Sequence, residues 1–328
     1  MSEIPVVDIG NRNSPAGRCA LAKQFEKIAR DRGFLYLANH GISDDLISSA
    51  FEAARRFHAL PIAEKLALKQ NSAHRGYQPP ASVTLVSSAK FAPATKPSQR
   101  SCLVVRHEID PKDLDPALPL QGPNQWPADA WIRKAAIDYR DAVTALGLSM
   151  LPVFSLAVGE SENFFQPFFD PPTTTLLMAH YPADVARGSD EFGSAPHTDY
   201  GFSTFLVQDS VGGLQVQRED GSWIDVSPIP GTFVFNIGDM MARWTNDQFR
   251  STRHRVINKD PTRDRYSLPI FFDPNLTAKI VCLSEFIAPE NAAKFEPVYF
   301  GDYYGLRLNS NYVPAAANAR DPTSVRRI

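Results

Sequence analysis

Residues 197–239 read HTDYGFSTFLVQDSVGGLQVQREDGSWIDVSPIPGTFVFNIGD. Apolar runs at 202–208, 214–217, 223–226 and 232–237 are rich in β-branched and aromatic residues, and Gly212-Gly213, Asp220-Gly221 and Pro230-Gly231 cut them apart. Runs this short do not build core helices, and the residues between them are those that tight turns require. The same rhythm extends outward, to 174–180 on one side and to 253–258 and 266–272 on the other. Seven or eight strands at this spacing predict a sandwich, a jelly roll or a barrel.

The chain before this region has a different period. A strand is expected at Ile4-Pro5-Val6-Val7-Asp8. Ser14-Pro15 then reads as an N-cap followed by proline in the first turn, opening a helix with Leu21, Phe25, Ile28 and Ala29 on one face and Gly33 at its end. A second strand covers 34–38. Ser43 caps another helix, which ends near Pro61. Residues 76–127 are rich in proline and small polar residues and read as ordered loop around a strand at 102–105. A long helix is expected over 129–157, where Pro152 should kink it or end it early. The tail, 278–328, should hold one more helix and covering loops. The organisation expected is an N-terminal helix and strand region (1–125), a supporting helix region (126–172), the strand-rich unit (173–285) and a covering segment (286–328).

Bulk properties narrow the function. The 328 residues carry 34 basic and 36 acidic side chains, net −2, with no basic stripe for nucleic acid. No stretch of about 18 apolar residues suggests a membrane span, and no signal peptide is visible at the N-terminus. Cys19, Cys102 and Cys282 are scattered and odd in number, which fits free thiols in a reducing compartment. The expectation is a cytoplasmic monomer or weak homo-oligomer acting on a small molecule.

His197 and Asp199 stand two apart just before a strand, so an extended backbone points both to one face. His254 follows in another strand-like run. Two histidines and one carboxylate are the facial triad of non-haem iron(II) oxygenases. Three protein ligands leave three positions open, two for a bidentate oxoacid and one for O2. A lone His-x-Asp arises easily by chance, so the surrounding residues carry the weight. Arg265 and Ser267, again two apart, place a planar guanidinium and a hydroxyl on one face of a strand, a good grip for a carboxylate. The apolar neighbours Leu268, Ile270 and Phe271 mark that strand as buried, and a buried arginine needs an anion. His40, His58, His74, His107 and His180 read as packed or surface histidines, with His180 the exception because it adjoins Tyr181.

With these residues in place, the chain resembles the isopenicillin N synthase-like family of iron(II)/2-oxoglutarate oxygenases along nearly its whole length. The resemblance rests on Ile4-Pro5-Val6-Val7-Asp8, Gly33-Phe34, Asn39-His40-Gly41 and Arg75-Gly76-Tyr77. It continues through His180-Tyr181-Pro182, His197-Thr198-Asp199, Gly213-Leu214-Gln215-Val216, Asn236-Ile237-Gly238-Asp239, Trp244-Thr245-Asn246, His254-Arg255-Val256 and Arg265-x-Ser267. It implies a mainly β protein with flanking helices, a double-stranded β-helix (jelly roll) core with an N-terminal α/β region. It implies Fe(II) on His197, Asp199 and His254, with 2-oxoglutarate at the metal held through Arg265 and Ser267 and Tyr181 close by. O2 is then consumed, succinate and CO2 are released, and a small organic molecule is hydroxylated, desaturated or cyclised. Phe91, Arg100, Tyr200, Phe202, Phe271 and Asp273 are the candidates to face that molecule; Phe202 and Phe271 could equally be core.

Two departures stand out. Ala179 replaces an asparagine common in the family, and residues 90–103 lack the acidic pattern of plant members. The alternatives are a family oxidase that does not consume 2-oxoglutarate and a zinc-holding hydrolase or binding protein of the same fold.

Overall fold

A computed structural model describes residues 4–85, 94, 96–115, 118–183, 191–257 and 259–310. The chain opens with β1 (Val6–Asp8), α1 (Pro15–Asp31), β2 (Phe34–Ala38), α2 (Asp44–Ala59), α3 (Ile62–Ala67), β3 (Gly76–Gln78) and β4 (Ser101–Arg106). The long helix α4 (Ala130–Ala157) leads into the core strands β5 (Thr173–Tyr181), β6 (Ser194–His197), β7 (Ser203–Gln208), β8 (Leu214–Gln217), β9 (Trp223–Asp225) and β10 (Thr232–Ile237). After α5 (Asp239–Trp244) come β11 (His254–Val256) and β12 (Arg265–Asp273), then β13 (Lys279–Ile280), β14 (Val298–Tyr299) and α6 (Phe300–Ser310).

Strands β5 to β12 form a jelly roll. One sheet runs β10-β7-β12-β5 and the facing sheet runs β6-β11-β8-β9. The early strands lengthen the first sheet at both edges, with β2 and β1 beyond β10 and β4 and β3 beyond β5, eight strands in all. The sequence-based expectation of a mainly β protein with flanking helices holds.

The alternation of side chains explains why two cores form. Along β12, Tyr266, Leu268, Ile270 and Phe272 point to the helical side, while Arg265, Ser267 and Asp273 point into the roll. The outer core lies between the large sheet and α1, α2 and α4, and includes Phe25, Phe57, Val143, Met150 and Phe272. The inner core lines the roll itself with Phe34, Tyr36, Ala179, Leu206, Val216 and Val256. Gly147 lets α4 lie flat on the sheet, because a Cβ there would come within 2.7 Å of the Phe272 ring.

The end signals in the helices work as expected. Ser14 accepts from the Gly17 amide at 3.1 Å and Ser43 from the Leu46 amide at 3.3 Å. Gly33 (φ +62°) turns the chain from α1 into β2 where a Cβ would collide with the Arg250 carbonyl.

Other expectations need correction. Pro152 does not end α4, which runs unbroken through it. The carbonyl that a proline deprives of its partner belongs to Leu148, a 39% exposed residue where water can serve instead. Helices α3 and α5 and strands β3 and β6 were not anticipated. Residues 311–328 of the tail lie outside the described residues.

Candidate metal centre

Strands β6 and β11 are neighbours in the smaller sheet, and His197 stands directly opposite His254 in their register. Asp199 follows His197 by two and returns to the same face. One ligand atom from each of the three lies within 4.8 Å of the others. Asp199 Oδ1 is 3.7 Å from His197 Nε2 and 3.5 Å from His254 Nε2.

Each ligand is fixed from behind. His197 Nδ1 meets the Ala195 carbonyl at 2.7 Å and His254 Nδ1 meets the Thr252 carbonyl at 3.1 Å. A carbonyl only accepts, so both Nδ1 atoms carry the proton and both Nε2 lone pairs face the centre. Asp199 Oδ2 accepts from Thr204 Oγ1 at 2.5 Å and from Asn236 Nδ2 at 2.7 Å, which leaves Oδ1 for a metal. Burial pushes His197 down to about 3 and so keeps it neutral, reinforced by the charge of His254. Burial would raise Asp199, but the charge and hydrogen bond of His254 outweigh it and hold the carboxyl well below its usual range. Burial would lower His254, but the charge of Asp199 and its hydrogen bond outweigh it and raise His254, so a cation between them would replace the Nε2 proton. Two imidazole nitrogens and one carboxylate on a single face suit a dication that needs open positions, so the donor set fits iron.

Arg265 opens β12 at 3% exposure. Its Nη1 donates to Ser267 Oγ at 3.3 Å, its Nη2 to Gln208 Oε1 at 3.1 Å and its Nε to the Gly212 carbonyl. Its guanidinium lies 4.5 Å from the centre of the Tyr181 ring, its cross-strand partner. All these acceptors are neutral, and among the described residues no carboxylate pairs with Arg265. A buried guanidinium with only neutral partners invites an anion.

The remaining candidates divide. Phe271 and Tyr200 are half-buried, and the Arg307 guanidinium on α6 covers the Tyr200 ring at 4.3 Å. Arg100 is half-buried, donates to Cys102 Sγ, and its charge reaches His197. Asp273 is buried and its Oδ1 accepts from the Phe202 amide at 2.7 Å; burial pushes it up to about 7. Phe202 is a correction. It is fully buried against Phe154, Phe165, Phe169 and Trp244, because its position in β7's approach turns the ring to the helical side. Phe91 lies outside the described residues. His180 points away from Tyr181, stacks on Tyr266 and pairs with Asp264 at 2.8 Å.

Thr204, Asn236 and Gln208 were missed as supports. A signal existed for Asn236, an amide inside the apolar run Thr232–Ile237, where a buried polar group must have a partner.

Comparison with known proteins decides the family. Residues 172–274 match the 2OG-Fe(II) oxygenase superfamily, and residues 4–129 match the non-haem dioxygenase in morphine synthesis N-terminal region. The 2-oxoglutarate-Fe(II) type oxidoreductase hxnY of Emericella nidulans is 34% identical over 318 residues, covering 93% of this chain and 89% of the relative. The chain belongs to the 2OG-Fe(II) oxygenase superfamily. Homoarginine-6-hydroxylase 2-ODD-C23.2 of Arabidopsis thaliana is 31% identical, covering 97% of this oxygenase and 90% of the relative. Among solved structures, a full-length Neurospora crassa protein in complex with alpha-KG and thymine superposes with a TM-score of 0.81 at 29% identity, covering 94% of this chain and 97% of that one. JOX2 in complex with 2OG, Fe and JA gives 0.76 at 26% identity, covering 95% and 89%. This oxygenase is therefore an Fe(II)- and 2-oxoglutarate-dependent dioxygenase that oxidises a small organic molecule with O2 and releases succinate and CO2. No helix among its described residues is long and apolar enough to cross a membrane.

Proposed function

We propose that His197, Asp199 and His254 hold the iron, that Arg265 and Ser267 hold the far carboxylate of 2-oxoglutarate, and that Tyr181 braces the Arg265 guanidinium. The observation that carries this reading is the convergence of three ligand atoms within 4.8 Å inside the same roll as a buried arginine with only neutral partners. The bound iron and cosubstrate supply the oxidation of a C–H bond by O2. The chain's own residues supply placement. Ala195 and Thr252 fix the imidazole tautomers, Thr204 and Asn236 fix the carboxylate, and Arg265 sets the oxoacid's orientation.

Tyr200, Phe271, Arg100 and Asp273 line the substrate side. The printed ligands of the two structural neighbours, thymine and JA, support a guest of similar size. The free thiols of Cys19, Cys102 and Cys282 support a reducing compartment such as the cytoplasm, and the polar, mixed-charge exterior supports a monomer or weak homo-oligomer.

The test is 2-oxoglutarate turnover, read as succinate, alongside iron content. His197→Ala should lose iron and turnover together. Arg265→Leu should keep iron but raise the KM for 2-oxoglutarate by about 100-fold, the cost of a lost charge-assisted pair. An unchanged KM would show that another residue anchors the oxoacid.

A further inference from the structure

The loop that carries Asp199 is gripped from behind at three consecutive residues. Thr198 Oγ1 donates to Asp239 Oδ2 at 3.4 Å. The Asp199 carbonyl accepts from the Asp239 amide at 2.8 Å. The Tyr200 ring lies under the Arg307 guanidinium, 4.3 Å from its centre. The backbone of Asp199 and both of its chain neighbours are thus held by two residues, one from α5 and one from α6.

Asp239 and Arg307 belong to one buried cluster, at 8% and 1% exposure. Asp239 Oδ2 also accepts from the Tyr303 hydroxyl at 3.3 Å, and Tyr303 stands one turn before Arg307 on the same face of α6. Burial raises the Asp239 carboxyl, and the charge of Arg307 is the strongest influence against that rise. A buried carboxylate needs such a cation. The start of α5 is also pressed tightly onto the loop. The Gly238 and Met240 amides donate to the Phe202 and Gly201 carbonyls at 2.9 Å, and a Cβ on Gly238 would come within 2.2 Å of the Gly201 oxygen. Behind these contacts the packing stops. Among the described residues, a cleft of about 1030 Å³ opens over Thr198, Asp239, Ser251, Tyr303 and Arg307. On that side directed polar contacts, rather than apolar filling, hold the loop.

Neither Arg307 nor Asp239 takes part in the ligand set or the oxoacid anchor. A cation beside a site for a dication is a cost in itself, since like charges repel. We propose that Arg307 is a positioning residue for the metal centre: set against Asp239 and laid over Tyr200, it ties α6 to the loop and holds the Asp199 carboxylate where the two imidazoles meet it. The C-terminal helix is then part of the frame of the iron site, although it contributes no ligand. Arg307 acts through Asp239 and Tyr200, not on the iron. The inference rests on the metal reading above.

Equilibrium dialysis of Fe(II) without O2 tests it on Arg307→Met, Asp239→Asn and the double variant. The sign of the effect separates the alternatives. If Arg307 acted by its charge alone, its removal would tighten iron binding, whereas Asp239→Asn would weaken it. The proposal expects both changes to weaken iron binding by about 10-fold or more, the usual cost of losing an outer support of a metal ligand. The double variant should bind iron within about threefold of the weaker single variant, because both substitutions break one connection. It leaves no unpaired buried charge, so it is the variant to read if a single one does not fold. Affinity for 2-oxoglutarate at saturating iron should stay within about threefold of the parent, since Arg265 and Ser267 are untouched. Iron binding by Arg307→Met, or by the double variant, as tight as the parent's would overturn the proposal and leave Arg307 a packing residue. Losses in the two single variants that multiply in the double one would overturn it as well. Failure of the parent protein to bind Fe(II) would instead overturn the metal reading.

Discussion

Asp199 shows how a single side chain is specialised by its neighbours. Thr204 and Asn236 occupy Oδ2 and so leave Oδ1 aimed between the two imidazoles. Asn236→Ala should therefore lower iron affinity by about 10- to 100-fold with little change in the fold; equilibrium iron binding by dialysis checks this, and an affinity equal to the parent's would mean that Thr204 suffices. The ligand trio itself was legible in the sequence, because a period of two places His197 and Asp199 together. The supports were less so, since Thr204 and Gln208 look like ordinary strand residues until their partners are known. His58 yields a prediction of another kind. It is buried, with Nε2 on the Met178 carbonyl at 2.9 Å, and burial pushes it down to about 3. Below pH 6.5 an unfolded chain takes up a proton that the folded one refuses. The stability His58 contributes is thus complete above pH 6.5 and declines as pH falls toward about 3, on the order of 1.4 kcal/mol per pH unit. His58→Gln should flatten this acid limb in denaturant titrations between pH 4 and 7, and an unchanged slope would exclude His58 as its source.

The elements that were legible are those with a period. Strands β5, β7, β10 and β12 are apolar runs set off by turn residues and buried along most of their length, and α1, α2 and α4 carry both a stripe and a capping residue. Helices α3 and α5 have six residues each, too few to show a stripe. Strand β6 reads Ser-Ala-Pro-His, which looks like a turn; it is tolerated because β6 lies at the edge of its sheet, where Pro196 costs no ladder bond on the open side. Packing between α4 and the large sheet can be tested at Gly147. Alanine favours a helix by up to about 1 kcal/mol over glycine. Here its Cβ would press within 2.7 Å of Phe272, a ring itself stacked on Phe169 at 4.9 Å and unable to move freely. Gly147→Ala should therefore destabilise the protein by about 1–3 kcal/mol in urea unfolding. A stabilised variant would show that the helix can slide away from the sheet at little cost.

At the scale of the whole molecule, the two matched segments, 4–129 and 172–274, are not two folding units. Strands β1 and β2 from the first extend the sheet beyond β10, and β3 and β4 extend it beyond β5, so the strands of the first segment continue the sheet of the second at both edges. The outer core is likewise shared, with Phe25 of α1 against Phe235 of β10 at 5.6 Å. Hydrogen bonds and apolar burial that cross so many boundaries make partial unfolding costly, because opening either segment exposes an edge of the other. Heating should accordingly give one transition, coincident by calorimetry and far-ultraviolet circular dichroism. The proposed site draws its metal-binding residues from β6, β11 and the loop between β6 and β7, and its oxoacid anchor from β12, so on that reading Fe(II) with 2-oxoglutarate would bridge both sheets. Under anaerobic conditions, at about 100 times their dissociation constants, ligands that bind only the folded chain add about 2.7 kcal/mol each. That should move the single transition upward as a unit. A scan that splits into two peaks, with only the upper one responding to iron and 2-oxoglutarate, would mean that the N-terminal strands are an appendage rather than part of the sheet that carries the site.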